Sequence, residues 1–462
     1  MKLPEGILRY REYNFLKMMK KLLIILAACL LLSGCSEMPS MENLLTPPKM
    51  SAEQNELYQT LINSAGQDVK LKYPKSGDYR SAFVIRDIDN DGIDEALVFY
   101  ESKNVQSGEN ALRLKFLDKS SGKWQAVYDL ACLGSEVDSI SFANLGSFER
   151  TDIIICYTLL GQTEKVFSVL NYADNMPVEL FSSSYSIIEV TDLNMDGEDE
   201  LVAVTLDKVS QTYVAMMFKS GADGFEKLSE TALYGGAADY LRVTKGRISE
   251  QTEALFLDYS KGGGQSGTDV IYCYGSKLFC PDSVGQNSSS GIISRLINDY
   301  MAEIYCADID LDGLTEIPST VPLPGYETLS RSEQLCAVQW YKIENDRYIP
   351  EHYSYYSSKY RFALLFPNRW QGVVSAIPDI DNNDIVFISY SVSTGLEISS
   401  DTELMRIRTI DKDDLGAVEP TGDMKLLAET DEMCYYLIET ASYKNGSLAL
   451  TESELQYNFI VL

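Results

Sequence analysis

One nine-residue frame occurs three times in this chain, as Asp87-Ile-Asp89-Asn-Asp91-Gly92-Ile-Asp-Glu95, Asp192-Leu-Asn194-Met-Asp196-Gly197-Glu-Asp-Glu200 and Asp308-Ile-Asp310-Leu-Asp312-Gly313-Leu-Thr-Glu316. Glycine at position 6 permits a backbone reversal at positive φ, where a side chain would be strained. Alternate positions 1, 3 and 5 then face one point inside a tight loop. The carbonyl of position 7 and the carboxylate of position 9 come round to the same point, and a shell of hard oxygens so arranged is what calcium takes. The frame therefore predicts calcium ligands at Asp87, Asp89, Asp91, Ile93 and Glu95. The second set is Asp192, Asn194, Asp196, Glu198 and Glu200, and the third is Asp308, Asp310, Asp312, Leu314 and Glu316, with the position-7 residues offering their carbonyls. Good turn formers alone would account for one such copy, but not for three in one frame.

These are not EF-hands. Position 12, where an EF-hand has a bidentate glutamate, is Val98, Ala203 or Ser319, and the flanks are β-rich where helices would be required. Ala82-Phe-Val-Ile-Arg86 and Ala96-Leu-Val-Phe-Tyr100 surround the first loop, and Ser186-Ile-Ile-Glu-Val190 and Leu201-Val-Ala-Val204 the second. Each predicted site thus lies between two strands. From Asp87 to Asp192 is 105 residues and from Asp192 to Asp308 is 116, about twice the ~40–50 residues of a propeller blade. Degenerate copies fall between. Asn144-Leu-Gly146-Ser-Phe148-Glu-Arg-Thr-Asp152 precedes Ile153-Ile-Ile-Cys156, and a loop from Lys245 to Glu253 is expected between Leu241-Arg-Val243 and Ala254-Leu-Phe-Leu257. Both have lost acids, and neither is expected to hold calcium. Two further short strands per unit, as in Arg113-Leu-Lys-Phe-Leu117 and Trp124-Gln-Ala-Val-Tyr128, bring the count to the four of a blade. Five such units fit between Ser81 and Glu351, and the flanking segments leave room for a sixth or seventh.

Asp-x-Asp-x-Asp-Gly-x-x-Glu between β-strands resembles the FG-GAP or VCBS repeats of integrin-α-like β-propellers found in bacterial surface proteins. The resemblance covers roughly residues 80 to 350 and departs from the family in having glutamate at position 9. It implies a calcium-stabilised propeller with an adhesive or ligand-binding role, and it implies no particular partner.

The N-terminus carries an address. Lys20-Lys21 precede an apolar run from Leu22 to Leu32, shorter than the ~20 residues with which a helix spans a bilayer. Leu32-Ser33-Gly34-Cys35 then resembles a bacterial lipobox. The resemblance implies cleavage before Cys35, acylation of its sulfur and anchoring in the cell membrane on the extracytoplasmic face. Residues 1–34 are accordingly expected to be a signal peptide, for which Met18-Met-Lys-Lys is a sufficient start. Residues 35–50, with three prolines between Ser36 and Met50, read as a flexible tether. The net charge of −29 repels nucleic acid. Beyond Cys35, seven cysteines sit mostly within apolar strand patterns, as buried core residues would, although Cys273 and Cys280 lie close enough in sequence to pair across a hairpin.

Residues 51–352 are expected to form the propeller with a short N-terminal helix opened by Ser51-Ala-Glu-Gln54, and residues 353–462 a small α+β domain of their own. Within the latter, Asp379-Ile-Asp381-Asn-Asn383 imitates the calcium frame but lacks glycine and has Phe387 at position 9, and Thr451-Glu-Ser-Glu-Leu-Gln suits a short helix. A lone histidine, His352, leaves little footing for a histidine-dependent hydrolase. Lys261-Gly-Gly-Gly-Gln-Ser-Gly267 lacks the trailing residues of a phosphate loop and reads as a hairpin turn. The expectation is a mainly β, lipid-anchored, non-catalytic surface protein whose calcium-pinned propeller binds a protein or glycan. A calcium-dependent polysaccharide lyase or other carbohydrate-active enzyme is one alternative, and an envelope scaffold without soluble ligand is another.

Overall fold

The computed structural model describes residues 50–103, 110–120, 122–146, 151–221, 224–281, 297–298, 304–345, 347–414, 424–444 and 446–462. The expectations for the signal segment, Cys35 and the tether lie outside these residues. The chain divides into two compact units, Met1–Tyr58 and Gln59–Leu462. The described part of the first holds the start of the helix Ala52–Ala65, and the expected capping box is present, the Ser51 hydroxyl accepting from the Gln54 N–H while the Gln54 side chain accepts from the Ser51 N–H.

The larger unit is built of antiparallel sheets in chain order, six of them among the described residues, each of four or five strands. The first contains Phe83–Arg86, Glu95–Ser102, Leu112–Ser120 and Lys123–Ala131, with Val69–Leu71 added beside Phe83–Arg86 on the strand Glu95–Ser102. The second runs Glu136–Ala143, Asp152–Thr158, Lys165–Ala173 and Met176–Tyr185; the third runs Ile187–Thr191, Glu200–Asp207, Thr212–Gly221 and Gly224–Ala232. The fourth starts with Asp239–Ser249, Thr252–Gly262 and Gln265–Tyr274, and the fifth with Ile317–Pro322, Cys336–Glu344 and Arg347–Ser357. The sixth holds Val374–Asp379, Asp384–Ser389, Glu403–Asp411 and Met433–Glu439, with Met424–Glu429 at its edge.

In the second, third and fourth sheets the sequence of the second strand is almost continuously apolar, and its packing explains why. Successive side chains on a strand point to opposite faces, and here both faces are covered. Ile153 and Ile155 pack with Leu97, Phe99 and Phe116 of the first sheet, whereas Ile154 and Cys156 pack with Leu201, Ala203 and Phe218 of the third. The third sheet repeats the division, sending Val202 and Val204 to Leu255 and Leu257 of the fourth. Ala254 and Phe256 of the fourth then meet Ile317 and Ile343 of the fifth. A strand covered on one face only would alternate apolar with polar residues. The uninterrupted runs are what a sheet between two others requires.

Two expectations need correction. The predicted α+β domain is not separate. Position 352 falls in the middle of the strand Arg347–Ser357, and one apolar cluster joins Tyr355, Phe362 and Leu364 of the fifth sheet to Phe387, Met405 and Tyr435 of the sixth, with Trp370 buried between them. The C-terminal strand Phe459–Val461 pairs with Phe362–Leu365, which ties the end of the chain into the fifth sheet. Likewise no loop spans Lys245 to Glu253, because the first two strands of the fourth sheet run on to Ser249 and from Thr252 and close in a tight hairpin. The expected turn at Lys261–Gly267 is present, with Gly263 and Gly264 both at positive φ. All seven described cysteines are free and six are buried, so Cys273 and Cys280 form no bridge.

The helix Glu452–Asn458 carries a second capping box between Thr451 and Glu454. The Arg369 guanidinium also grips the Glu454 carboxylate, its Nη2 lying 2.8 Å from Oε2, and holds its pKa down to about 2. A carboxylate depressed in the folded state contributes stability that is present above its unfolded pKa of ~4.3 and is lost as pH falls through the folded value. The Arg369→Gln protein should therefore melt below the parent at neutral pH, by no more than about 1 kcal/mol for a partly exposed pair after solvent screening. The difference should shrink between pH 4.5 and 2, and a difference that stays constant across a pH series of melts would refute the assignment.

Candidate metal centres

The three nine-residue frames fold into one geometry. In each, the N–H of the position-6 glycine donates to the position-1 aspartate, at 3.0 Å for Gly92 on Asp87, 2.8 Å for Gly197 on Asp192 and 2.9 Å for Gly313 on Asp308. The position-7 N–H donates to the position-5 aspartate at 2.7, 3.0 and 2.7 Å. The position-2 N–H donates to Oε2 of the position-9 glutamate at 2.9, 3.0 and 2.9 Å, from Ile88, Leu193 and Ile309. Position 4 has positive φ throughout, 62° at Asn90, 61° at Met195 and 63° at Leu311, and the three glycines lie between 88° and 91°.

Asparagine accepts that left-handed conformation readily, whereas leucine is strained in it. Leu311 is also 84% exposed, so it gains nothing from packing. Leu311→Asn is expected to stabilise the protein by about 0.5–1 kcal/mol, read as a higher denaturant midpoint at unchanged slope. An unchanged or lower midpoint would contradict the strain argument.

Carboxylate oxygens of Asp87, Asp89 and Glu95 converge within 4.8 Å of one another, as do those of Asp192, Asp196 and Glu200 and those of Asp308, Asp310 and Glu316. Glu95 and Glu200 open the second strands of their sheets, Glu316 immediately precedes the strand Ile317–Pro322, and all three are buried, at 0–1% exposure. Burial, reinforced by the surrounding aspartates, pushes Glu95 and Glu200 up to about 7 and Glu316 up to about 8, against the opposing pull of the position-2 N–H. Asp87 Oδ1 and Glu316 Oε1 are buried without a hydrogen-bond partner. An unpartnered buried acceptor is costly, and a cation at the point of convergence would satisfy it. The converging donor set in each loop is three carboxylates, oxygen only, which fits calcium better than zinc or copper.

The same place in the other sheets is a built-in comparison. A carboxylate recurs near the start of a buried strand in every sheet, and where the preceding turn lacks the full frame the protein supplies a partner. In the second sheet Asp152 accepts from the Ser220 hydroxyl at 2.9 Å. In the fourth, Glu253 pairs with Arg247 at 2.7 Å. In the sixth, Asp384 is wholly buried and receives both arms of Arg408, at 2.6 and 2.8 Å. The imitation frame at Asp379 is the turn of that sixth sheet, and its acid is held by Asn382 and Arg406. Its rejection as a calcium loop thus has a structural counterpart, while its place as the sixth repeat is not evident from the sequence.

The three acid-rich loops are not identical in their surroundings. Lys219 reaches the second from the third strand of its sheet, 3.0 Å from Asp196 and in contact with Glu198, and the Asn194 amide donates to Asp196 and Glu200. In the third, Asp310 Oδ2 lies 2.9 Å from His352 Nε2 and 3.3 Å from the Tyr457 hydroxyl. The sequence alone points to neither Lys219 nor His352 as part of a site. Both stand more than twenty residues from the side chains they touch, and only the sheet register brings them there.

No known protein-family profile matches the chain, and no curated protein matches it. Among solved structures 179 chains match. They include the exotype rhamnogalacturonan lyase YesX, 12% identical over 70% of this chain and 61% of that one, with a TM-score of 0.26. The rhamnogalacturonan lyase PL11 of Bacillus licheniformis is 12% identical over 73% of this chain and 62% of its own, with a TM-score of 0.25. Sqt1 of Saccharomyces cerevisiae is 9% identical over 80% and 98%, with a TM-score of 0.30. The matches thus span about three fifths of the length of the lyases. Similarities this slight establish neither an activity nor a ligand.

Proposed function

We propose that this chain is a lipid-anchored, extracytoplasmic binding protein whose six sheets are the blades of a calcium-stabilised β-propeller, in the manner of FG-GAP or VCBS repeats. The single observation that carries this reading is the contrast between alternate sheets. The first, third and fifth place a buried glutamate in an acid-rich loop, and the second, fourth and sixth pair the corresponding carboxylate with Ser220, Arg247 or Arg408. An acid cluster kept at every other blade, where its neighbours carry internal partners, is what a site filled by an external dication needs. Acylation at Cys35 would hold the molecule at the membrane, and its acidity keeps it from nucleic acid. The module is non-catalytic and engages a protein or glycan.

The competing reading is a calcium-dependent polysaccharide lyase. Incubating the full-length chain and calcium with acidic polysaccharides separates the two. Unsaturated sugar ends, followed by their ultraviolet absorbance, would overturn the non-catalytic reading, and unchanged polymer length is the expected result.

A further inference from the structure

The edge of the sheets opposite the calcium loops carries a second kind of site. The acid-rich loops join first to second strands in the first and third sheets and lead into Ile317–Pro322 in the fifth. At the other end, the connections into the third strands and between successive sheets enclose a cleft of about 570 Å³, within the ~300–1,000 Å³ range of small-ligand sites. Tyr185, Tyr213 and Tyr240, the last two packed edge to face at 5.0 Å, line it together with Leu206 and Leu241. Leu241 is 65% exposed and also lines a second hollow of about 270 Å³, so the two adjoin across three successive sheets.

The polar lining is rich in hydroxyls and acceptors. Ser184, Ser186 and Thr205 face the first cleft, and the Tyr213 hydroxyl donates to Asp239 Oδ1 at 3.2 Å. In the second hollow, Asp258 accepts from Thr268 through Oδ1 at 2.6 Å, but its Oδ2 is buried with no hydrogen-bond partner among the described residues. The two lysines of the first cleft are already paired, Lys165 with Asp138 at 3.0 Å and Lys208 with Glu164 at 2.9 Å, and in the second hollow the Arg242 guanidinium lies 3.9 Å from the Tyr305 ring centroid, beside Asp258.

We infer that these adjoining hollows form a binding groove for an uncharged, hydroxyl-rich chain, a neutral oligosaccharide. Each feature fits that chemistry. Asp239 accepts from sugar hydroxyls, Ser184, Ser186 and Thr205 offer hydroxyls of their own, the exposed Leu241 covers the apolar face of a ring, and the paired lysines give no advantage to an acidic polymer. A protein partner would need about 800 Å² of contact with an apolar centre, and the hollows are small and lined by polar and apolar groups alike. This inference rests on the reading of the chain as a binding module and names the ligand class of that module.

The test is affinity electrophoresis of the full-length chain through native gels containing xylan, galactomannan, starch, alginate or polygalacturonate, beside Asp239→Ala and Leu241→Arg proteins. Retardation by at least one neutral polymer is expected, weakened at least tenfold in both variants and unchanged between 50 and 300 mM NaCl, since no charge pair is made. No retardation by any neutral polymer, retardation that both variants retain, or retardation only by acidic polymers that collapses with salt would overturn the groove. Melting the same preparations with and without calcium keeps the two readings apart. A calcium-dependent melt without retardation sinks the groove alone, and unsaturated ends in alginate or polygalacturonate, whose uronates can undergo elimination, sink the non-catalytic module.

Discussion

Millimolar calcium, added in place of a chelator, is expected to raise the unfolding midpoint of the full-length chain by roughly 5–10 °C. A ligand present at a hundred times its dissociation constant stabilises the folded state by about 2.7 kcal/mol per site, and the first and third loops have no lysine or arginine on their carboxylates among the contacts described. The second loop should contribute less, because Lys219 already occupies Asp196 and Glu198. Two substitutions separate these terms. Asp89→Ala with Asp310→Ala should remove most of the calcium-dependent rise. Lys219→Met should enlarge it by freeing the second loop, while lowering the midpoint in chelator, where like charges are left crowded. A rise that survives the double substitution would place the calcium elsewhere.

The converse holds in the sixth sheet, where the protein carries its own cation. Arg408→Ala is expected to cost about 3–5 kcal/mol, the usual penalty for stranding a buried charge. Asp384 is 0% exposed, and the nearest other guanidinium, Arg406 at 3.6 Å, is already held by Glu403 and Asp379. Calcium should not rescue this variant, since the turn before Asp384 lacks the frame. Asp384→Asn combined with Arg408→Met should recover most of the loss, because removing both charges also removes their desolvation cost. Chemical denaturation of the three proteins with and without calcium measures all of this. An Arg408→Ala protein as stable as the parent would show that the pair is not what holds that turn.

The acid frame is legible because it is local. Nine residues fix their own hydrogen bonds, so the turns around Gly92, Gly197 and Gly313 and the buried glutamates follow from the sequence alone. The continuous apolar runs such as Ile153-Ile-Ile-Cys156 announce strands covered on both faces. The C-terminal part misleads for a physical reason. Its turn at Asp379 and the carboxylate of Asp384 are held by arginines, and the partners Arg406 and Arg408 lie on a later strand, invisible to a pattern that looks for glycine and acids. The fourth sheet shows its repeat in the sequence but not its short turn, which lets Arg247 reach Glu253. What joins sheet to loop across the chain, Lys219 to Asp196 and His352 to Asp310, depends on register and not on spacing. The cleft of Tyr185 and Tyr213 depends likewise on how neighbouring sheets meet.

If the proposed function is right, three loops take up calcium and their counterparts in the intervening sheets do not. Equilibrium dialysis of the full-length chain against radiolabelled calcium tests this most directly, with Glu316→Gln and Glu253→Gln proteins alongside. About three ions per chain are expected, one for each oxygen cluster, with about two after Glu316→Gln and no change after Glu253→Gln. Binding of no ions, or a count that Glu316→Gln leaves untouched, would contradict it.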